Sequence, residues 1–326
     1  VIINCSDSGT GHTIGSWNTS NYFDGYMSHI HYSSGYSYAP TVFGSTDSTT
    51  DEWKINTAPT FTLGGNGYTV LKDGNTITDQ SSNSNDFTLG GGTLTKSEDC
   101  PSDVFATWNT LIYSKSTETN GNTTSASGSS GELNAISTLG MTGTGKYYME
   151  FKRVSGDYPM FGILDDKCMR DHTDEDSIGL GKTGTTKSIA LRLNDGKTRV
   201  NNAVTTCGAA VSNGDIVGVA VDKSTNKIYF SKNGYWANGS GAWSSTTFNA
   251  STGATDVSSI LTGDTWFFAC GTDTGQANNT FSANFGNGFF GTTAISSEGT
   301  NASGIGKFEF DVPANYTALS TKGLNE

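Results

Sequence analysis

Residues 214–236, GDIVGVAVDKSTNKIYFSKNGYW, place two β-strands and the turns around them from side-chain chemistry alone. Ile216, Val217, Val219 and Val221 form an apolar run interrupted only by Gly218 and Ala220, the pattern of a strand in the middle of a packed sheet. Asp222 closes that run, and after a polar turn Ile228, Tyr229 and Phe230 make a second one. Asn233-Gly234 then supplies the pair that tolerates left-handed backbone, which a tight hairpin turn requires. Two strands fold back on each other, with Tyr235 and Trp236 carried out at the next bend.

Working outward, the composition agrees. The chain holds 42 Gly in 326 residues, about 13% against a usual ~7%, and only 5 Pro. Such a chain turns often, and it turns on glycine. Charged residues are 15%, and the long Leu/Glu/Lys/Ala blocks of amphipathic helices are absent, whereas Thr, Ser, Asn, Val, Ile, Tyr and Phe recur in short alternating runs. The expected class is all-β with nearly no helix. Aromatics at 11% supply bulk for sandwich cores, although hydrophobic residues total only 34%.

The 31 acidic against 19 basic residues leave a net charge of −12, and no Lys/Arg cluster is present to neutralise a run of phosphates. Nucleic acid is therefore not an expected partner. No apolar stretch approaches the ~20 residues needed to span a bilayer, so no membrane insertion is expected. The start VIINCSDSG lacks a Met, a basic region and a cleavage site and enters strand-like sequence at once, the mark of a processed product or a portion of something longer. Cys5, Cys100, Cys168, Cys207 and Cys270 are odd in number and scattered, with no C-x-x-C pair, and read as mostly buried thiols of a protein assembled in a reducing cytoplasm.

Residues 12–32, HTIGSWNTSNYFDGYMSHIHY, read as a hairpin with one strand through Ile14 and Trp17, a polar turn near Asn18 to Asn21, and a long return strand. The stretch YFDGYMSHIHYSSGYSYAPTVFG, 22–44, is similar to the closing strand of laminin-G-like, concanavalin-type sandwiches, whose other strands would then lie upstream of Val1. Residues 44–110 have the composition of a linker, yet Trp53, Phe61, Tyr68, Val70, Leu71, Phe87, Phe105 and Trp108 recur too regularly for a free tether. FGSTDSTTDEW, NGYTVLKD, DQSSNSNDFT and DCPSDVFATWNTL resemble the connector that joins laminin-G-like and SPRY-like modules in tail proteins of bacteriophages, especially marine phages.

From Gly145 onward a SPRY resemblance takes over. GKYYMEFKRVSG, YPMFGIL, SIGLG, ALRLNDGKTRV, the 214–236 segment and TWFFACGTDTGQANNTFSANFG follow in that family's order, and VPANYTALSTKGLNE is like the C terminus of such tail proteins. Departures are Ser320 where Cys is frequent, Gly323 where Asn is frequent, and GSGAWSSTTFNAS, which lacks a Gly-Asp-Pro frequently found after the hairpin. The resemblance implies concanavalin-like and SPRY-like β-sandwiches of jelly-roll type in three parts. These are the C-terminal part of a laminin-G/concanavalin-like sandwich over 1–58, a surface-hugging connector over 59–110, and a SPRY-like sandwich with a C-terminal strand over 111–326.

Material for catalysis is poor. There are 4 His, no G-x-S-x-G elbow and no H-E-x-x-H, so the chain is not expected to be an enzyme. The densest acidic stretch holds Asp165, Asp166, Asp171, Asp174, Glu175 and Asp176 around Arg170 and His172. Calcium takes six to eight oxygens, and these carboxylates are the candidate ligands, the alternative being a solvated loop. No other cofactor is expected. His29 and His31 share a strand face near His12, but matching to the laminin-G-like strand turns Ile30 and Tyr32 inward and both histidines out to solvent, against a zinc site. Tyr235, Trp236 and Trp243, with Asn238 beside them, are the candidate glycan-binding residues, since aromatic faces stack on sugar rings while amides bond the hydroxyls. Trp236 has the competing explanation of closing the sandwich. Asn-x-Ser/Thr sites, among them Asn18, Asn122, Asn238, Asn249, Asn278, Asn301 and Asn315, matter only if the chain enters a eukaryotic secretory route.

By resemblance, the expected function is that of a virion structural protein, a tail fibre or tail-associated adhesin made in the host cytoplasm. It would contact a host surface glycan or envelope receptor through sandwich-edge loops, alongside other virion subunits and as a trimer. The alternatives are a head or tail decoration protein with purely structural contacts and a polysaccharide-degrading tail spike.

Overall fold

The structure is a computed structural model that describes residues 3–4, 12–17, 20–23, 27–46, 48, 53–72, 76–91, 94, 98–100, 103–109, 111, 116–127, 133–171, 180–181, 187–273 and 278–325. It divides into two compact units, Val1–Ser102 and Asp103–Glu326.

The first unit is built from short antiparallel pairs. Ser16–Trp17 pairs with Ser20–Tyr22, the tight hairpin read from the sequence. The return strand is not continuous, however. His29 takes φ +48°, which interrupts extended backbone, and Ile30–Tyr32 pairs instead with Tyr68–Val70. Around that pair Ile30, Tyr68, Val70 and Leu71 are buried, with Ile14, Met27, Tyr32, Ile77, Phe87 and Leu94 packed on them. One carboxylate organises the following loop. Asp79 accepts hydrogen bonds from the backbone N–H groups of Thr69, Ser81 and Asn85 and from the Ser81 hydroxyl, at 2.8–2.9 Å. Burial by itself would raise its pKa, but these four donors hold the carboxyl below the ordinary value.

The second unit is a β-sandwich. One sheet runs, neighbour to neighbour, Trp243–Ser245, Tyr235–Ala237, Lys227–Lys232, Ile216–Asp222, Lys146–Ser155, Thr280–Asn284, Thr124–Ser127 and Ser116–Thr119. Thr255–Asp256 pairs with the Lys227 strand, and Thr317–Ala318 lies parallel to the start of the Lys146 strand. The other sheet runs Ala135–Ile136, Trp266–Thr272, Pro159–Asp165, Ser188–Arg192, Lys197–Val200 and Ala203–Thr206. The sheets meet through Phe151 and Phe161, whose ring centroids are 4.3 Å apart.

The two strands read from residues 214–236 pair as expected, with Val219 opposite Phe230 and Val217 opposite Lys232. Asn233 and Gly234 take φ +49° and +80°, the double left-handed turn that suits the twist of a hairpin. Every residue of Ile216–Asp222 is buried because the sheet is covered on both faces. Phe151 and its neighbours meet the second sheet, while on the other side the ring of Phe308 stands edge-on against Tyr148 at 5.0 Å. Gly218 leaves that space open, since a Cβ there would sit 2.7 Å from the Tyr148 hydroxyl.

Two segments of the expected connector are core elements of this unit. Phe105 bridges to Ser320 and Trp108 to Ser137, and Trp108 is completely buried against Phe285 at 5.1 Å. The acidic stretch, read from sequence as loop, begins with a short helix, Asp166–Asp171. Asp165 starts it by accepting the Cys168 N–H, as an N-cap does.

Candidate functional site

Strand alternation decides which rim aromatics face outward. In the cross-strand register Trp236 lies opposite Ser231, which lies opposite Gly218. That places Trp236 on the face covered by the C-terminal segment, where it packs against Phe248 at 4.9 Å and near Tyr148, and is 6% exposed. Trp236, expected from sequence among the ligand residues, is therefore a core residue. Tyr235 is paired with Lys232 and turns the other way, and its side is 48% exposed at the edge of the sheet.

Trp243 is half-buried. Its indole N–H donates to the Ala209 carbonyl at 2.8 Å, and its ring lies on Gly208, where a Cβ would come within 2.2 Å of the indole. The edge of one sheet is thus fastened to the loop that follows the edge strand of the other. Asn238 is a turn former, its Oδ1 accepting from the N–H groups of Ser240 at 2.8 Å and Ala242 at 3.2 Å. Among the described residues no ring contact joins Tyr235 to Trp243, so the four do not form one aromatic cradle. The structure leaves Tyr235 as the open face, with Trp243 and Asn238 holding the rim rigid beside it.

The residues of the acidic stretch whose carboxylate side chains the structure describes, Asp165 and Asp166, are tied into the fold. Asp165 is fully buried, and its second oxygen accepts the Gly263 N–H at 2.6 Å. Asp166 is tied by its N–H to the Thr265 carbonyl at 2.9 Å. The side chain of Asp171 lies outside the described residues, as do His172, Asp174, Glu175 and Asp176 entirely, and the described residues hold no cluster of three or more metal-ligating side chains.

The rings of His29 and His31 stay together, with centroids 6.4 Å apart, while His12 is placed elsewhere. His12 packs edge-on against Tyr32 at 5.0 Å, on the side of Tyr68. His31 faces the opposite way but is not open to solvent, because Phe43 and Phe61 lie 5.7 and 5.3 Å from its ring and Nδ1 is 2.9 Å from the Thr69 hydroxyl. Desolvation by these neighbours lowers its pKa, with the nearby His29 and Lys72 adding to the effect. Cys207 and Cys270 are buried, and burial pushes the Cys207 thiol up to about 12, so neither offers a nucleophile.

Two features were not legible in the sequence. Glu150 is fully buried on the covered face of the first sheet, where it accepts the N–H groups of Glu309 and Phe310 at 2.8 Å and the Tyr148 hydroxyl at 3.2 Å. Desolvation raises its pKa to about 7 in spite of these donors. The second is a cavity of about 250 Å³ lined by Gly145, Lys146, Ser303, Tyr316, Thr317 and Gly323, among others. Its walls come from positions up to 178 apart, counted from Gly145 to Gly323, and no spacing rule joins them.

No protein-family model and no curated protein matches the chain. Among solved structures it is similar to the SPRY domain of human HERC1, at 15% identity and TM-score 0.37 over 52% of this chain and 91% of that one. A human SPRY domain gives 18% identity and TM-score 0.37 over 52% and 94%. Stonustoxin gives 16% and 0.38 over 55% of this chain and 27% of that one. The assignment as a β-sandwich rests on the two sheets and their shared core rather than on likenesses of this degree.

Proposed function

We propose that this chain is an exterior virion protein, a tail fibre or tail-associated adhesin that contacts a glycan or envelope receptor of the host. The observation that supports this reading is the rim at Tyr235. An exposed phenol ring is carried on a strand whose next residue, Trp236, is buried, beside a tryptophan fastened across the two sheet edges. Aromatic rings held at low conformational cost suit contacts with sugar faces, and loops mounted on a rigid sandwich are where recognition surfaces are commonly built. Contacts of this size are weak singly and are multiplied by copy number, which a trimer in a virion supplies. The proposal assigns no catalysis.

Purified protein should adsorb to host cells and compete with phage, and Tyr235→Ala should weaken adsorption at least fivefold while leaving the melting temperature within about 1 °C, since its side chain is exposed and surface changes are usually worth within ~0.5 kcal/mol. Absence of adsorption by the parent protein would remove the reading. A second reading, a decoration protein held by other virion subunits, is favoured by the edge strand Ala203–Thr206, which is exposed along its whole length and has no strand on its outer side among the described residues.

A further inference from the structure

We propose that His29 and His31 form an acid-responsive pair that loosens the strand pairing of the first unit when both imidazoles carry a proton. The pair lies within Val1–Ser102 and does not depend on the adhesin reading.

Strand register places one member. Ile30–Tyr32 runs antiparallel to Tyr68–Val70, with His31 directly opposite Thr69. Alternation sends Ile30 into the buried cluster and His31 to the reverse side, where its ring stacks on Phe43 at 5.7 Å and stands edge-on to Phe61 at 5.3 Å. Its Nδ1 is 2.9 Å from the Thr69 hydroxyl. The His29 ring lies 6.4 Å from that of His31. Two positive charges at this separation sit inside the ~8 Å Debye length of physiological salt, so screening does not remove their repulsion.

The ladder also ends here. The His29 N–H donates to the Leu71 carbonyl at 3.0 Å, and both residues take left-handed backbone, at φ +48° and +57°. Backbone of this kind is unfavourable for side chains of their size and persists only while the surroundings hold it. Lys72 follows directly, and its positive charge acts on His31 together with that of His29. Phe43 and Phe61 bring no charge, and Tyr38, packed on both, is a phenol whose hydroxyl donates to the Thr62 carbonyl at 3.0 Å. Asp79 accepts the Thr69 N–H but is shared among four donors and is not among the groups that act on His31. Acidification therefore gathers the charges of His29, His31 and Lys72 at the strained end of the ladder.

The sign of the response follows. Desolvation among the rings, then the charges of His29 and Lys72, hold His31 below the ordinary histidine value of 6.5. The unfolded chain takes up this proton more readily than the folded one, so the contribution to stability is present above pH 6.5 and is lost as pH falls below it.

Hydrogen exchange of the full chain at pH 7.5 and pH 5, corrected for the intrinsic exchange rate and read over 30–32 and 68–70, tests this. Protection of both strands should fall at least about fivefold at the lower pH, while that of Lys146–Ser155 in the second unit should not fall. His29→Asn removes one imidazole and supplies a residue that tolerates left-handed backbone, and the fall should shrink to roughly twofold. His31→Gln should abolish it. By NMR the His31 imidazole of the parent should titrate below 6.5, and its midpoint should rise in His29→Asn. If His31→Gln fails to fold, His29→Asn and the titration still decide. Equal protection of the parent at both pH values, an undiminished fall in His29→Asn, or a His31 midpoint unmoved by that substitution would each overturn the proposal.

Discussion

At the scale of single residues, the most consequential side chain is Glu150. It sits in the sheet fully buried, receives two backbone N–H groups of the C-terminal segment, and so ties that segment to the face opposite the second sheet. Its folded pKa of about 7 lies above the ordinary carboxyl value, with desolvation the largest cause. The folded state then holds its proton more tightly than the unfolded chain, so stability is greatest in acid and falls as pH rises from about 4.5 to about 7. Two and a half pH units correspond to about 3 kcal/mol at most. Urea unfolding at pH 5 and pH 7.5 should show this loss, and Glu150→Gln should flatten the difference between the two. An unchanged slope in the variant would assign the pH dependence to another group. Nothing in GKYYMEFKRVSG marks this glutamate as buried, because a strand covered on both faces gives no polar side to which it could be assigned.

At the scale of elements, the hairpin at 216–237 behaves as its residues dictate. Asn233 Oδ1 accepts the Ile216 N–H at 2.8 Å, and its Nδ2 donates to Asp215 at 2.7 Å, so the turn is fastened to the start of its own hairpin. Gly234 has φ +80°, and a Cβ there would meet Phe310 at 2.7 Å. Gly234→Ala should therefore cost roughly 1–3 kcal/mol, read as a lower denaturant midpoint with the slope unchanged. A second left-handed turn, Asn201-Asn202 at φ +50° and +63°, joins Lys197–Val200 to the edge strand Ala203–Thr206. It was legible in principle, as two consecutive asparagines between short alternating runs. The long return strand expected after Tyr22 was not realised, since His29 departs from extended backbone and the Ile30 strand finds a partner some 40 residues on, at Tyr68–Val70. Alternation describes a strand but says nothing about which strand it will pair with.

At the scale of the whole molecule, each buried cluster lies within one unit. The cluster around Ile30 and Tyr68 belongs to Val1–Ser102, and the two around Phe151 and Leu164 belong to Asp103–Glu326. A fragment of residues 103–326 should therefore fold alone, with a β-rich circular dichroism spectrum and one cooperative thermal transition; a fragment without a transition would show that its core is incomplete. Beginning the fragment at 111 instead should destabilise it by several kcal/mol, because Phe105 and Trp108 would be lost from that core and removing large buried aromatics costs ~3–5 kcal/mol each. The amino-acid sequence alone determined that this protein is nearly all β, where its central hairpin turns, and that its thiols are mostly buried, because period-two alternation, glycine frequency and turn pairs are local properties. Only the tertiary structure decided that Trp236 is inside while Tyr235 is outside, that Asp165 caps a short helix, and that Lys146, Tyr316 and Thr317 come to line one hollow. Those outcomes depend on which strands become neighbours and on which face a later segment covers, and both are set by contacts between residues far apart in the chain.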